Sequence, residues 1–357
     1  MNVLILNWRD PKNPLAGGAE KLNLEILKPL IERGDNVTWY AKSVRGLPNT
    51  EIYQGIKIIR FGGLVTHFIF WPFFILMGKF GKVDFIIDSI HGIGYFSNIL
   101  APKTKKVILI CEVALNLWDE TFPLPISTIG RILEKLMFIS YSKNRFWTIS
   151  QSTLEDLTTM RIQKHNIKIL PMGFNAPPDL NKQKKYSTPT ALFVGRLAEM
   201  KGVKDAIESI ALLNFNPGKK WSLRIIGRGS EEFERKLREK VSALGIKKYV
   251  DFLGFASENE KFYEMSRTWV LLVPSSREGW GMIVTEANYA GTQVVAYDSA
   301  GLRDSVKKSS TKNLIIGRRP ESIRATLKNI KKPLEIHSGL RPGWEKLHKE
   351  VMRNIEK

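Results

Sequence analysis

One cysteine in 357 residues, Cys111, excludes two kinds of protein at once. A lone thiol makes neither an internal disulfide nor a cysteine-based zinc cluster, and a reducing cytoplasm is the compartment such usage predicts. Long apolar runs are also missing. The longest, FIFWPFFILMG at 68–78, contains Pro72 and is shorter than the roughly 20 residues a helix needs to cross a bilayer. The start, MNVLILNWRD, has four consecutive apolar residues before polar ones, too few for a signal-peptide core, so the expectation is a cytoplasmic protein. No short-period repeat argues for a solenoid. With 43% hydrophobic and 25% charged residues, the chain also lacks the composition of extended disorder.

What the chain does have is positive charge. Lys and Arg number 55 against 35 acids, a net +20. Residues 1–175 contribute +7 (21 basic, 14 acidic) and residues 176–357 contribute +13 (34 and 21). Such a balance attracts phosphates, nucleic acid or anionic lipid without choosing among them. A nucleic-acid-binding protein is the weaker reading, because no nucleic-acid module is recognisable and the cations are spread over both halves.

The length predicts two domains. VLIL (3–6) reads as a buried strand. After a polar loop, Ala19, Leu22, Ile26, Leu27, Leu30 and Ile31 recur at helical spacing, with Gly34 as C-cap, and NVTWYA (36–41) is the next strand. Further strands are expected at 56–61, 83–88, 106–111 and 146–150, as apolar runs suited to burial on both faces. NAPPDLNKQKKYSTP (175–189) reads as a linker. The alternation then restarts: strands at 191–195, 222–227, 249–254, 269–275 and 293–298, with helices at 203–213, 231–244, 258–266 and 282–290. The fold class is α/β, two Rossmann-like doubly wound domains, 1–175 and 176–340.

Open parallel sheets bind ligands at the carboxyl ends of their strands. Gly17-Gly18 opens the first helix, where backbone amides and the positive end of the dipole suit a phosphate; a flexible turn is the competing reading. GRLAEMKG (195–202) offers Arg196 as a fork and Lys201 as a point charge for a diphosphate, unless both are simply solvated. REGWGMIVTEANYAG (277–291) carries Glu278 in a loop and Glu286 inside the helix that follows. Between them Gly279, Trp280 and Gly281 form the turn, and the amides of Gly281, Met282 and Ile283 lie at the helix entrance. A nucleotide sugar fits this order: hexose hydroxyls on Glu278, diphosphate on the amides and cations, ribose on Glu286. The alternative makes Glu278 a helix-entrance acid and Glu286 an exposed helical residue.

NWRDPKNPLAGGAE (7–20), LFVGRLAEMKG (192–202) and EGWGMIVTEANYAGTQVVAYDSAGLRDSV (278–306) together resemble glycosyltransferase family 4, retaining enzymes of GT-B architecture. The resemblance implies two Rossmann-like domains facing a cleft, acceptor side first and donor side second, with a terminal helix in 341–357 packing back on the first domain. It implies that Gly17 and Gly18 approach the donor phosphate, that Arg196 and Lys201 neutralise it, and that Glu278 and Glu286 hold hexose and ribose. Arg196, Lys201 and Glu278 are then the catalytic group, stabilising the leaving nucleoside diphosphate. No metal and no cofactor beyond the nucleoside-diphosphate sugar is implied, and the chain has no Asp-x-Asp pair.

The acceptor side departs from the family. Cys111-Glu112 stands where many members carry a histidine. His91, in DSIHGIG, is the candidate substrate-binding residue near the same strand ends, against an ordinary loop histidine. A catalytically weak sugar-nucleotide-binding homologue is therefore the rival from the same family. Segments 67–82 and 129–147 mix aromatics, aliphatics and cations. They read either as core helices or as surfaces for an anionic membrane, where a glycan or lipid-linked acceptor would be met.

Overall fold

The chain divides into two compact units, Met1–Gly173 with Trp344–Lys357, and Phe174–Gly343. The sequence reading set these divisions at 175/176 and 340/341. The computed structural model describes all residues except 115, 116, 178–182, 216, 219, 311, 335, 337, 338 and 357, and the side chains of 120 and 121.

Unit 1 begins with β1 (Asn2–Leu6), α1 (Gly18–Glu32), β2 (Asn36–Ala41), β3 (Thr50–Tyr53) and β4 (Ile56–Arg60). It continues through α2 (Thr66–Leu76), β5 (Phe85–Ile90), α3 (Ser97–Leu100), β6 (Lys105–Ile110), α4 (Leu117–Thr121) and α5 (Ile126–Tyr141). β7 (Phe146–Thr148), α6 (Gln151–Thr159) and β8 (Ile167–Ile169) complete the sheet, in the order β3-β4-β2-β1-β5-β6-β7-β8. Only β3, an edge strand absent from the sequence reading, runs antiparallel to its neighbour. α1 closes at Arg33, and Gly34 donates its N–H to the Ile31 carbonyl.

Alternation along β5 assigns the helices to faces. Ile86 packs in the cluster of Trp71 and Phe74 from α2, while Ile90 packs with Met137, Phe138 and Tyr141 from α5. Asp88, between them on the same face, accepts from the hydroxyl of Tyr141. α2 and α5 thus cover one face of the sheet. Ser89 points the other way, to Asn23 of α1 at 3.1 Å.

Unit 2 runs β9 (Thr190–Val194), α7 (Val203–Asn214), β10 (Ser222–Ile226), α8 (Glu231–Ala243), β11 (Val250–Gly254) and α9 (Glu258–Arg267). Then come β12 (Val270–Val273), α10 (Met282–Tyr289), β13 (Gln293–Tyr297), α11 (Leu302–Ser309), β14 (Leu314–Ile316) and α12 (Pro320–Asn329). The sheet is parallel throughout, in the order β11-β10-β9-β12-β13-β14. Ala191 and Phe193 face α7, α8 and α12, whereas Leu192 and Leu271 face α9, α10 and α11, which explains the unbroken apolar strand sequences. The described part of the predicted linker is anchored to this unit: Lys185 Nζ donates to the Thr268 carbonyl at 2.9 Å and Trp269 Nε1 to the Tyr186 carbonyl at 2.7 Å. Its residues 178–182 lie outside the described residues.

The chain ends in α13 (Glu345–Ile355), which belongs to unit 1 and lies against α1, with His348 Nε2 3.1 Å from Glu25. No helix among the described residues is long and apolar enough to cross a membrane.

Candidate functional site

In unit 2 the strand order reverses between β9 and β12. Crossovers leave β9 toward one edge and β12 toward the other, the reversal at whose carboxyl strand ends open α/β sheets bind their ligands. These are the loops that carry Arg196, Lys201 and Glu278.

Backbone packing draws the loops together. Gly202 has φ +69°, and a Cβ there would lie 2.0 Å from the Pro274 carbonyl oxygen, so only glycine lets the end of one loop rest on the other. Ser276 N–H also donates to the Met200 carbonyl at 2.9 Å. Lys201 Nζ consequently meets Glu278 Oε1 at 2.6 Å, and the Ser275 hydroxyl donates to the same oxygen at 2.9 Å. Both partners stay partly exposed, with side-chain accessibilities of 22% and 18%. The lysine is therefore within reach of a ligand phosphate that would compete with Glu278 for it. Arg196 is exposed; among the described residues it makes no ion pair, and its Nη2 lies 3.9 Å from Met200 Sδ.

A second glycine shapes the loop from behind. Gly301, at φ +76°, precedes α11, and a Cβ there would come within 2.1 Å of the Glu278 carbonyl oxygen. Gly301 lies within the 278–306 stretch, where no sequence pattern gives it a role. Beyond Glu278, the chain passes Gly279 and Trp280 to Gly281, the N-cap, and α10 starts at Met282 as predicted. The N–H groups of Met282 and Ile283 occupy its first turn, while that of Val284 bonds back to the Gly281 carbonyl at 2.9 Å. Lys308 Nζ lies 5.4 Å from the Trp280 ring centroid.

Glu286 is buried, contrary to the reading of it as an exposed helical residue. It lies on the side of α10 that packs against α9, where Lys261 Nζ meets its Oε2 at 2.8 Å. Burial pushes the lysine's pKa down, but the carboxylates of Glu286 and Glu258 outweigh it, and the net shift is upward. Sequence reasoning missed Lys261. The signal was there: Lys261, Phe262 and Met265 form the buried stripe of α9, so a cation stands at a core position.

Unit 1 repeats the topology, with its reversal between β1 and β5, and fills it differently. Gly17 and Gly18 open α1 as expected, yet the Gly17 N–H already donates to Glu20 Oε2 at 2.7 Å, and Arg9 Nε donates to Glu20 Oε1 at 3.1 Å. The preceding loop is fastened from beneath by Asp10 and Arg60, joined through two 2.8 Å bonds with both side chains fully buried.

His91 follows β5. Burial lowers its pKa to about 4, against an upward pull from Glu20 and with a further push down from Arg9, so the ring is neutral near pH 7. Its Nε2 has no hydrogen-bond partner among the described residues. The same holds for both amide atoms of Asn7, a buried residue just after β1 that opens the 7–20 stretch and to which the sequence assigned no role. Cys111, at the end of β6, is pushed up to about 12 by burial, with Glu112 and Glu20 adding to it; the thiol is no nucleophile at neutral pH. The structure thus joins Lys201 to Glu278 in unit 2, and gathers Gly17 and His91 around Glu20 and Arg9 in unit 1.

Comparison with known proteins gives this geometry its context. The family described as glycosyl transferases group 1 matches residues 178–335, nearly all of unit 2. An uncharacterized glycosyltransferase of Haemophilus influenzae is 32% identical over 306 residues, covering 82% of this chain and 80% of its own length. The 2-deoxystreptamine glucosyltransferase of Streptomyces kanamyceticus is 31% identical over 182 residues, 49% of this chain, which spans only 46% of that enzyme. Among solved structures, sucrose-phosphate synthase from Thermosynechococcus elongatus superposes with a TM-score of 0.77 at 17% identity, covering 99% of this chain and 98% of its own. Anabaena HepE in complex with UDP and glucose gives 0.71 at 15% identity, covering 99% of both chains. These likenesses fix the fold as GT-B, two Rossmann-like units in one chain. With unit 2 matching the family directly and four-fifths of a relative aligned along both units, the chain belongs to the glycosyl transferases group 1.

Proposed function

We propose that this glycosyltransferase moves a hexose from a nucleoside-diphosphate sugar to a hydroxyl of a glycan or lipid-linked acceptor, without a metal and with retention at the anomeric carbon. The observation that carries the proposal is the joining of the loops after β9 and β12, which sets Lys201 against Glu278 in the loop that leads into α10. The diphosphate is bound by Arg196, by Lys201 and by the first-turn amides of α10. Glu278 takes the hexose hydroxyls, and Glu286, held by Lys261, takes the ribose.

In the reaction the bond between the anomeric carbon and the diphosphate oxygen breaks, and the acceptor oxygen bonds to that carbon on the same face. The acceptor proton passes to the departing phosphate. Negative charge grows on the diphosphate as it leaves, so Arg196, Lys201 and the helix amides bind the transition state more tightly than the ground state. A protein base is not required. Gly17, Gly18 and His91 act on the unit 1 side, toward donor phosphate and acceptor. In the same reading the protein works in the cytoplasm, peripheral to an anionic membrane.

Thermal shift against UDP, GDP, ADP and their sugars tests the donor first, because a bound ligand raises apparent stability by mass action. UDP-glucose is the natural lead, HepE having been solved with UDP and glucose. A donor-hydrolysis and transfer assay follows, with Glu278→Ala and Arg196→Ala. Donor binding unchanged in both variants would overturn the site assignment. Donor binding without hydrolysis or transfer in the wild type would favour the weak homologue, to which the Cys111 position already points.

A further inference from the structure

Unit 1 carries an apolar surface on its outside. On α5 the buried side is Glu134, Met137, Phe138 and Tyr141, while Ile126, Ile129, Ile132, Leu133, Leu136 and Ile139 form an exposed stripe, Ile139 at 62%. A helix laid on a soluble core places polar residues there. On α2, which covers the same sheet face, Ile69, Phe70, Phe73 and Leu76 also point outward, Leu76 at 82%. α3 lies between them and exposes Ile99 and Leu100. The three helices are tied into one surface: Trp71 Nε1 donates to the Tyr95 carbonyl at 3.2 Å, and Asn98 Nδ2 to the Ser140 carbonyl at 2.7 Å.

Charge selects the occupant. From Phe61 to Val83 the chain contains Lys79 and Lys82 and no acid. The one carboxylate of α5, Glu134, is turned inward, where it accepts from the Ala114 N–H at 2.8 Å and Trp118 Nε1 at 3.0 Å. Exposed Arg131 on α5 is balanced by Asp119, 2.8 Å away. Crossover helices run back along the strands, so the C-terminal ends of α2 and α5 reach the edge where β5, β6 and β7 begin. At that edge Lys79, Lys82, Lys103, Lys105, Lys143 and Arg145 are all exposed. An apolar helical face bordered by cations and, among the described residues of α2, α3 and α5, free of unpaired outward acids matches the boundary between anionic headgroups and acyl chains.

We infer that the outward faces of α2, α3 and α5 are a membrane-docking surface, on which unit 1 rests against an anionic lipid bilayer. The inference deepens the peripheral-membrane part of the proposed function and rests on it; it does not rest on the transfer chemistry. Docking by this face holds the protein at the bilayer without crossing it.

Vesicle flotation of the full chain is the test, with phosphatidylcholine vesicles containing phosphatidylglycerol against pure phosphatidylcholine. The wild type is expected to float with the anionic vesicles and to be released by salt. The variant Phe73→Ser, Leu76→Ser, Ile132→Ser, Leu136→Ser should bind at least about tenfold more weakly, and Lys79→Glu, Lys82→Glu, Lys143→Glu should abolish the preference for anionic lipid. All seven side chains are exposed, so unchanged melting temperatures are expected and are measured alongside. Flotation of the apolar variant equal to wild type would overturn the docking face while leaving peripheral attachment standing. No flotation of the wild type would overturn both. A wild-type dimer that the apolar variant converts to monomer in light scattering, without flotation, would assign the face to a second copy. Thermal shift with UDP-glucose, read separately, reports on the donor site whichever of these results is found.

Discussion

The two units place a loop and a helix entrance at the same point of the same topology and finish them in opposite ways. After β9, backbone contacts at Gly202 and Gly301 hold the loops, and the cations Arg196 and Lys201 are left exposed or weakly paired. After β1, the loop is held by charges: Asp10 is buried against Arg60, and Glu20 takes both Arg9 and the Gly17 amide. The difference teaches where each unit can meet an anion. A loop fixed through its backbone keeps its cations for a ligand, whereas one fixed through ion pairs has already used them. At the corresponding strand ends unit 1 places Glu20 together with neutral His91 and neutral Cys111.

Substitutions can break this contrast, and the largest effect is expected in unit 1. Arg60→Met strands the Asp10 carboxylate in a site where both side chains are inaccessible, and should cost about 3–5 kcal/mol of stability, read as a lower melting temperature, with donor affinity unchanged. If donor affinity fell instead, the structural role of this pair would be wrong. In unit 2 the reverse is expected: Arg196→Ala and Lys201→Ala should each lower kcat by about 10²–10³ while leaving the melting temperature near wild type. Equal kcat values would show that the exposed cations are solvated surface charges.

Acid sensitivity should also separate the units. His67 and His91, both in unit 1, have pKa values depressed to about 4, chiefly by burial. A histidine with a depressed folded pKa contributes stability above its unfolded value, near 6.5, and that stability is lost as pH falls toward 4. His67 Nδ1 bonds to the Gly63 carbonyl at 2.7 Å, a bond that His67→Asn can reproduce without titrating. The variant should gain about 2 kcal/mol relative to wild type between pH 7 and pH 5 in denaturant titrations. An unchanged difference across that range would contradict the assignment. The smallest effect is expected for Glu286→Gln, a rise of about tenfold in donor KM with kcat nearly kept, since a charged hydrogen-bond partner is exchanged for a neutral one.

Much of unit 2 was legible because its strands are buried on both faces and its turns fall at glycines. ALFVG, LRIIG and WVLLVPS, with the stop at Gly291, placed the strands and the start of α10 within a residue or two. Glu278 at the loop and Glu286 inside the helix could be read from spacing alone. The burial of Glu286 could not, because its partner Lys261 is 25 positions away on another helix. In unit 1 the edge strand β3 was missed, since TEIY is short and only half-buried. The segments now seen as α2 and α5 have enough apolar residues for a core helix, so composition left core and surface readings equal; only accessibility separates them.

The sequence by itself determined the alternation of strands and helices, the division into two units and the loops where charge meets a helix entrance. These are local properties, set by side-chain periodicity and by glycine and proline. Tertiary structure decided which charges are paired: Lys201 with Glu278, Lys261 with Glu286, and Arg60 with Asp10, over separations of 77, 25 and 50 residues. It also decided that α2 and α5 turn a second apolar side outward, beyond the one that packs on the sheet. Pairing and exposure depend on what lies across from a side chain in space, and strand order, which no local pattern encodes, sets that neighbour.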